Sequence, residues 1–232
     1  MMFSSTLILI PARNEEASVA VVIAEVIKLT GCRVVLIDDA STDTTVQAAR
    51  RAGAAVLPLA VQLGAWGALQ AGMRFALREG YHYVITMDAD GQHEAADLYK
   101  LLEPDRENCA DVSIGACVRR GSQLRRIAWV FLKWISGLSM EDITSGFRAY
   151  KESAMRLLAK KEATLLEYQD IGVLAQLKRN NLKISEVQVG MCPRTSGHSR
   201  VYSSWLVVAY YMVQASILGF SKRGGGNDKQ RS

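Results

Sequence analysis

Apolar residues in this chain come in short blocks broken by polar and glycine-rich stretches, and the block lengths alternate between those of strands and those of helices. Residues 5 to 10 (Ser5-Thr6-Leu7-Ile8-Leu9-Ile10) read as a first strand, followed by the loop Pro11-Ala12-Arg13-Asn14-Glu15-Glu16. Apolar positions at helical spacing then predict a helix over 17–29. Val34 to Ile37 is a short β-branched strand ending in Asp38-Asp39-Ala40-Ser41-Thr42-Asp43. Thr42 or Asp43 can cap a helix that runs to Ala52 and stops at Gly53. A third strand is predicted over 55–59, a glycine-punctuated loop over 62–67, and a helix over 68–78 closed by Gly80. Tyr83 to Met87 reads as a buried strand. Further on, 111–115 is a strand, 122–140 a helical stretch, 145–150 extended, 152–159 and 168–179 helices, and 184–189 a strand.

Strands and helices that alternate at such short intervals make a mainly parallel sheet with helices on both faces, a three-layer α/β/α sandwich. The crossovers should be right-handed. No internal repeat interrupts the pattern. Val201 to Phe220 is apolar and free of charge, but Ser203, Ser204, Gln214 and Ser216 dilute it near the lower length limit for a bilayer span. It reads as a C-terminal helix that packs on the domain or lies at an interface. The domain division is therefore 1–200 for the α/β body, 201–222 for the apolar helix and 223–232 for a disordered tail.

At 232 residues and 49% hydrophobic content the chain can bury a substantial core. A net charge of +5 changes the picture only because it is clustered. Arg119, Arg120, Arg125 and Arg126 form one group, Arg194 and Arg200 another, and Lys222, Arg223, Lys229 and Arg231 a third. Such clusters suit diphosphates or an anionic lipid surface. Nothing points to nucleic acid. The stretch Arg125 to Trp134, which includes Trp129, fits a membrane surface or an ordinary core equally well. Four scattered cysteines, Cys32, Cys109, Cys117 and Cys192, show no ligand spacing and read as free thiols. The first apolar block is cut short by Pro11 and Arg13, so it is a strand rather than a signal peptide, and a cytoplasmic body is expected.

Candidate chemistry gathers where predicted strands end. Asp88 and Asp90, two positions apart, should point the same way at the carboxyl end of a strand. Open α/β sheets bind ligands there. Two carboxylates so close call for a cation, and hard divalent ions favour carboxylate oxygens. Gln92 and His93 follow, His93 as a contact to a ligand rather than a ligand itself. The alternative is a polar turn that ends the strand and starts a helix, with Asp97 facing water. The loops at 11–15, 38–43 and 62–67 would converge on the same edge. Asp39 suits a base N–H and Glu15 a ribose hydroxyl. Helix capping is the competing role for one of the two neighbouring aspartates, Asp38 and Asp39. No GxGxxG follows the first strand and no GxxxxGK[ST] occurs anywhere, which disfavours nicotinamide chemistry and P-loop phosphoryl transfer.

IPARNEE (10–16), VVLIDDASTD (34–43), QLGAWGAL (62–69), MDADGQH (87–93), DITSGFRAY (142–150) and PRTSGHSR (193–200) resemble glycosyltransferase family 2. They look most like its polyprenyl- and dolichyl-phosphate sugar synthases, whose signatures read roughly PAYNE, DDGSxD, NxGxxxA, DADxQH, DxxSGFR and RxxGxSK. That resemblance implies the GT-A fold and an inverting transfer from a UDP- or GDP-linked sugar to a lipid phosphate or lipid-linked saccharide. By position, Pro11, Arg13, Glu15 and Asp39 would line the nucleoside pocket. Asp88, Asp90 and Gln92 would hold Mg²⁺ or Mn²⁺ against the diphosphate. Arg194, Gly197, Ser199 and Arg200 match the late basic loop. Arg13 stands in place of the family's tyrosine and Gln62 in place of its asparagine. Cys117 replaces the arginine of the family's IGSR, with Arg119 and Arg120 two and three residues later.

Asp142 would serve as general base toward a hydroxyl acceptor, or would orient a phosphate acceptor that needs none. Peripheral attachment at the cytoplasmic membrane face is expected, with Lys222 and Arg223 suited to anionic headgroups. Two other classes compete: a catalytically silent nucleotide-sugar-binding module and a nucleotidyltransferase. The second would carry a glycine-rich basic loop after its first strand, where this chain has Ala12-Arg13-Asn14-Glu15.

Overall fold

In the computed structural model, residues 5–106, 110–117, 145–165 and 171–191 are described, with side chains omitted at 104–106, 165 and 171. Strand β1 (Thr6–Ala12) is an interior strand, third in the seven-stranded sheet. Leu7 to Ile10 have no exposed surface, as a strand covered on both faces requires. β1 pairs in parallel with β2 (Arg33–Asp38) on one side and β4 (Tyr83–Thr86) on the other, and β2 pairs in parallel with β3 (Ala55–Pro58). Beyond β4 come β6 (Arg148–Lys151), β5 (Val112–Ala116) and β7 (Ile184–Gln188), which completes the order β3-β2-β1-β4-β6-β5-β7. β6 runs antiparallel to both its neighbours, and β5 pairs in parallel with β7.

Alternation along the strands divides the core in two. Leu7, Leu9, Val35 and Ile37 face α3 (Gly64–Arg78), α5 (Glu152–Leu158) and α6 (Ile171–Arg179). Ile8, Ile10, Val34 and Leu36 face α1 (Val19–Thr30), α2 (Thr45–Arg51) and α4 (Leu98–Arg106). The result is the expected α/β/α sandwich around a mainly parallel sheet. The expected C-terminal helix at 201–220 and the helical stretch at 122–140 lie outside the described residues.

Several boundaries differ from the sequence reading for identifiable reasons. Helix α3 starts at Gly64, not Ala68. The carboxylate of Asp39 accepts from the amides of Leu63 at 2.6 Å and Gly64 at 3.0 Å, which satisfies the first donors of the helix four residues early. Gly64 supplies the left-handed φ of 74° at the entry. Strand β4 ends at Thr86, one residue sooner than expected, and α4 occupies a stretch to which no element was given. None of the described helices is long and apolar enough to cross a membrane.

Candidate active site

Chain direction brings the loops together. β1, β2, β3 and β4 are parallel, so their carboxyl ends share one edge, and β6 runs oppositely, so its entry from Ser145-Gly146-Phe147 reaches that edge too. β2 and β4 flank β1 on opposite sides, which makes the β1/β4 boundary the point where strand order reverses. Ligand crevices of open α/β sheets form at such a point.

The loops after β1 and β2 are clasped to each other. The Asn14 amide donates to Ser41 Oγ at 3.0 Å, and the Thr42 amide donates back to Asn14 Oδ1 at 2.8 Å. The Glu15 amide donates to Thr45 Oγ1 at 2.8 Å, and the Thr44 amide to Glu16 Oε2 at 3.0 Å. Asp43 accepts from the Thr45 amide at 3.0 Å and so caps the start of α2. Burial pulls the Asp43 carboxyl up, but hydrogen bonds from the Thr45 side chain and from the Thr45 and Glu16 amides prevail and hold it below the usual value. Pro11, Arg13 and Glu15 are half-buried along this edge. Asp38 accepts from the Ser41 amide at 3.2 Å, a turn-capping role. Asp39 is buried at the foot of α3, and two of its roughly four lone-pair positions are taken by the helix amides.

Asp88 and Asp90 lie past the end of β4, in the turn that Gly91 closes with φ 74°. Strand alternation is therefore not what brings them to the same edge; the turn does that. Their environments differ. The Asp88 side chain is 43% exposed, whereas Asp90 is buried and its Oδ1 accepts from the Gln92 amide at 3.0 Å. His93 supports Asp88 from behind. Its Nε2 lies 3.2 Å from Asp88 Oδ2, and its ring stacks on Phe147 at 4.9 Å with 14° between planes. His93 thus touches Asp88, one of the two carboxylates read as candidate ion ligands.

Gly146 faces Asp88 from the other side. A Cβ there would stand 2.7 Å from Asp88 Oδ1, so glycine is the residue that leaves room for the carboxylate. Thr86 Oγ donates to the Gly146 carbonyl at 2.7 Å, and the buried Arg148 donates to the Ser145 carbonyl at 2.7 Å. These contacts fix the SGFR segment against β4. Among the described residues no group of three or more His, Cys, Asp or Glu side chains forms a closed metal cage.

Asp97 does not face water, as the polar-turn alternative would have it. It is buried, its Oδ2 accepts from the Gly190 amide at 2.5 Å, and its Oδ1 pairs with Lys100 at 2.7 Å. Nothing in the sequence signals that contact, because Gly190 lies 93 residues away. Cys32 and Cys117 are free thiols, and burial pushes the Cys32 thiol up. Asp142, Arg119, Arg194, Gly197, Ser199 and Arg200 lie outside the described residues, as do Trp129, Trp134, Cys109 and Cys192.

The family model for glycosyl transferase family 2 matches residues 7–161, most of the chain. The chain belongs to glycosyl transferase family 2. This transferase is 29% identical over 212 residues to the undecaprenyl-phosphate mannosyltransferase of Micrococcus luteus, covering 83% of the chain and 84% of the relative. It is 26% identical over 226 residues to the polyprenol monophosphomannose synthase of Mycolicibacterium smegmatis, covering 90% and 85%. Among solved structures it is similar to glucosyl-3-phosphoglycerate synthase of Mycobacterium tuberculosis, crystallised with Mn²⁺, UDP and phosphoglyceric acid. The TM-score is 0.70 at 18% identity, over 97% of this chain and 80% of that one. The same enzyme with Mg²⁺ and UDP gives a TM-score of 0.68 at 18% identity, over 97% and 81%. That likeness establishes the GT-A fold of the transferase.

Proposed function

We propose that the transferase moves a sugar, with inversion, from a nucleoside diphosphate donor to a polyprenyl phosphate or lipid-linked saccharide. The observation that carries this reading is the half-exposed Asp88 carboxylate, held between His93 and Gly146 beside the point of strand reversal. The acceptor class follows the polyprenyl-phosphate relatives.

The residues present fit a divalent ion. Asp88 offers hard oxygen donors toward solvent, adjacent carboxylates favour neutralisation, and an incomplete protein cage suits an ion that keeps water and phosphate oxygens as ligands. Asp88 and Asp90, with Gln92, would hold Mg²⁺ or Mn²⁺, which when bound neutralises charge developing on the leaving diphosphate. Pro11, Arg13 and Glu15 line the nucleoside side of the crevice. Asp39 keeps lone pairs for a base N–H while its other lone pairs anchor α3. Arg119, Arg194, Ser199 and Arg200 bind diphosphate or acceptor phosphate where negative charge is greatest. An acceptor oxygen forms its bond to the anomeric carbon as the carbon–diphosphate oxygen bond breaks. Asp142 takes the proton of a hydroxyl acceptor or aligns a phosphate one. With residues 201–220 at the interface and Lys222 and Arg223 toward anionic lipid, the reaction proceeds on the cytoplasmic membrane face from a peripheral position.

The test is transfer of radiolabel from a panel of UDP- and GDP-sugars into solvent-extractable polyprenyl phosphate. Labelled product of inverted anomeric configuration is expected, lost in Asp90→Asn. Tight nucleotide-sugar binding without transfer to any acceptor would establish a silent binding module. Diphosphate release from a nucleoside triphosphate and a sugar phosphate would establish a nucleotidyltransferase.

A further inference from the structure

Past Val189, whose amide is bonded to the Ala116 carbonyl at 3.1 Å, the chain leaves the β5 ladder. It is then held by the turn that follows Asp88 and Asp90. The Gly190 amide donates to Asp97 Oδ2 at 2.5 Å, and Met191 forms an antiparallel bridge with His93. Gly190 lies against Glu94: a Cβ would stand 2.9 Å from Oε1 of that exposed side chain. Asp97 is itself fixed: it is 5% exposed and its amide donates to the Glu94 carbonyl at 3.0 Å in a tight turn. An aspartate serving only the dipole of α4 would stay in water, where such an interaction is favourable without desolvation. Burying the carboxylate is costly unless a specific donor compensates, and the Gly190 amide is that donor. Lys100 is half-exposed, so its ion pair contributes little beside the amide bond.

Resting on the transferase reading above, we infer that Asp97 is a positioning residue: it anchors the exit of β7 to the Asp88–Asp90 turn and so fixes the bridge that holds His93 behind Asp88. Met191, the residue after Gly190, bridges His93, whose Nε2 lies 3.2 Å from Asp88 Oδ2. A shift at Gly190 is therefore passed through Met191 and His93 to the Asp88 carboxylate. Misplacing a charged group by about 1 Å during transfer costs rate rather than ground-state affinity.

The experiment combines hydrogen–deuterium exchange of the full chain with steady-state transfer kinetics. In Asp97→Ala, exchange at Gly190 and Met191 is expected to rise about tenfold or more, with β1 and β2 unchanged, as loss of a charge-assisted bond implies. The kcat is expected to fall about tenfold while the donor KM stays within about twofold. Asp97→Asn keeps an oxygen for the Gly190 amide and should restore both readings to within about threefold of wild type. Gly190→Pro, which removes the donating amide and leaves Asp97 intact, should reproduce the Asp97→Ala pattern at Met191 and in kcat, and serves in its place if that variant does not fold. Unchanged exchange in Asp97→Ala overturns the anchor, and faster exchange with unchanged kcat overturns its part in transfer. Wild-type protein that transfers no sugar counts against the transferase reading alone, and the exchange ratio then decides the anchor by itself.

Discussion

Ala40 carries the clearest local strain at the candidate site. Its φ is 57°, in the left-handed region, at the position where the family signature DDGSxD has glycine. A Cβ in that conformation costs about 1–2 kcal/mol, while glycine loses more chain entropy on folding, by about 0.5–1 kcal/mol. Ala40→Gly is therefore expected to stabilise the protein by about 0.5–1 kcal/mol, read as a higher urea midpoint with an unchanged m-value. An equal or lower midpoint would show that the neighbouring clasp has already relieved the strain. Gly146 illustrates a different need. Its backbone is ordinary, and what excludes a side chain is the Asp88 carboxylate 2.7 Å away. The motif DITSGFRAY marks this glycine in the sequence, but only the fold shows which carboxylate it accommodates.

Helix α3 connects the site to α5 and the turn after it, on the same face of the sheet. Asp39 holds its first amides, while Trp66, Gln70 and Arg74, spaced four apart on one face, donate to carbonyls of the α5 exit. The contacts are Trp66 Nε1 to Ala163 O at 2.8 Å, Gln70 Nε2 to Leu158 O at 2.8 Å and Arg74 Nε to Ala159 O at 2.9 Å. A helix end leaves such carbonyls without intrahelical partners. Trp66→Phe keeps most of the apolar contact yet strands the buried Ala163 carbonyl, so a loss of about 1–3 kcal/mol in chemical denaturation is expected. A neutral result would mean that water replaces the indole donor. The period of apolar residues reveals α3 from Ala68 onward, but Gly64 and Gly67 read as loop, because the capping carboxylate comes from Asp39, 24 residues earlier. The contact of Asp97 with Gly190 is hidden from the sequence for the same reason. Its donor is a backbone amide, and backbone amides look alike at every position.

At the scale of the whole molecule, alternating strand and helix segments made the three-layer sandwich legible, and the acidic strand ends marked the edge that the candidate residues share. Strand direction was less visible. β6 carries Arg148, Ala149 and Tyr150 of DITSGFRAY in an extended run like any other strand, yet it runs antiparallel between β4 and β5. That reversal is what returns Ser145 and Gly146 to the site edge, and it depends on pairing rather than on composition. The central claim is that the Asp88–Asp90 turn binds a nucleoside diphosphate through a divalent ion. Isothermal titration of UDP and GDP into the full chain, with Mn²⁺ and then with EDTA, tests it most directly. Binding of one nucleotide is expected with Mn²⁺, and its disappearance in EDTA and in a folded Asp88→Asn variant. Undiminished affinity in EDTA would contradict the account.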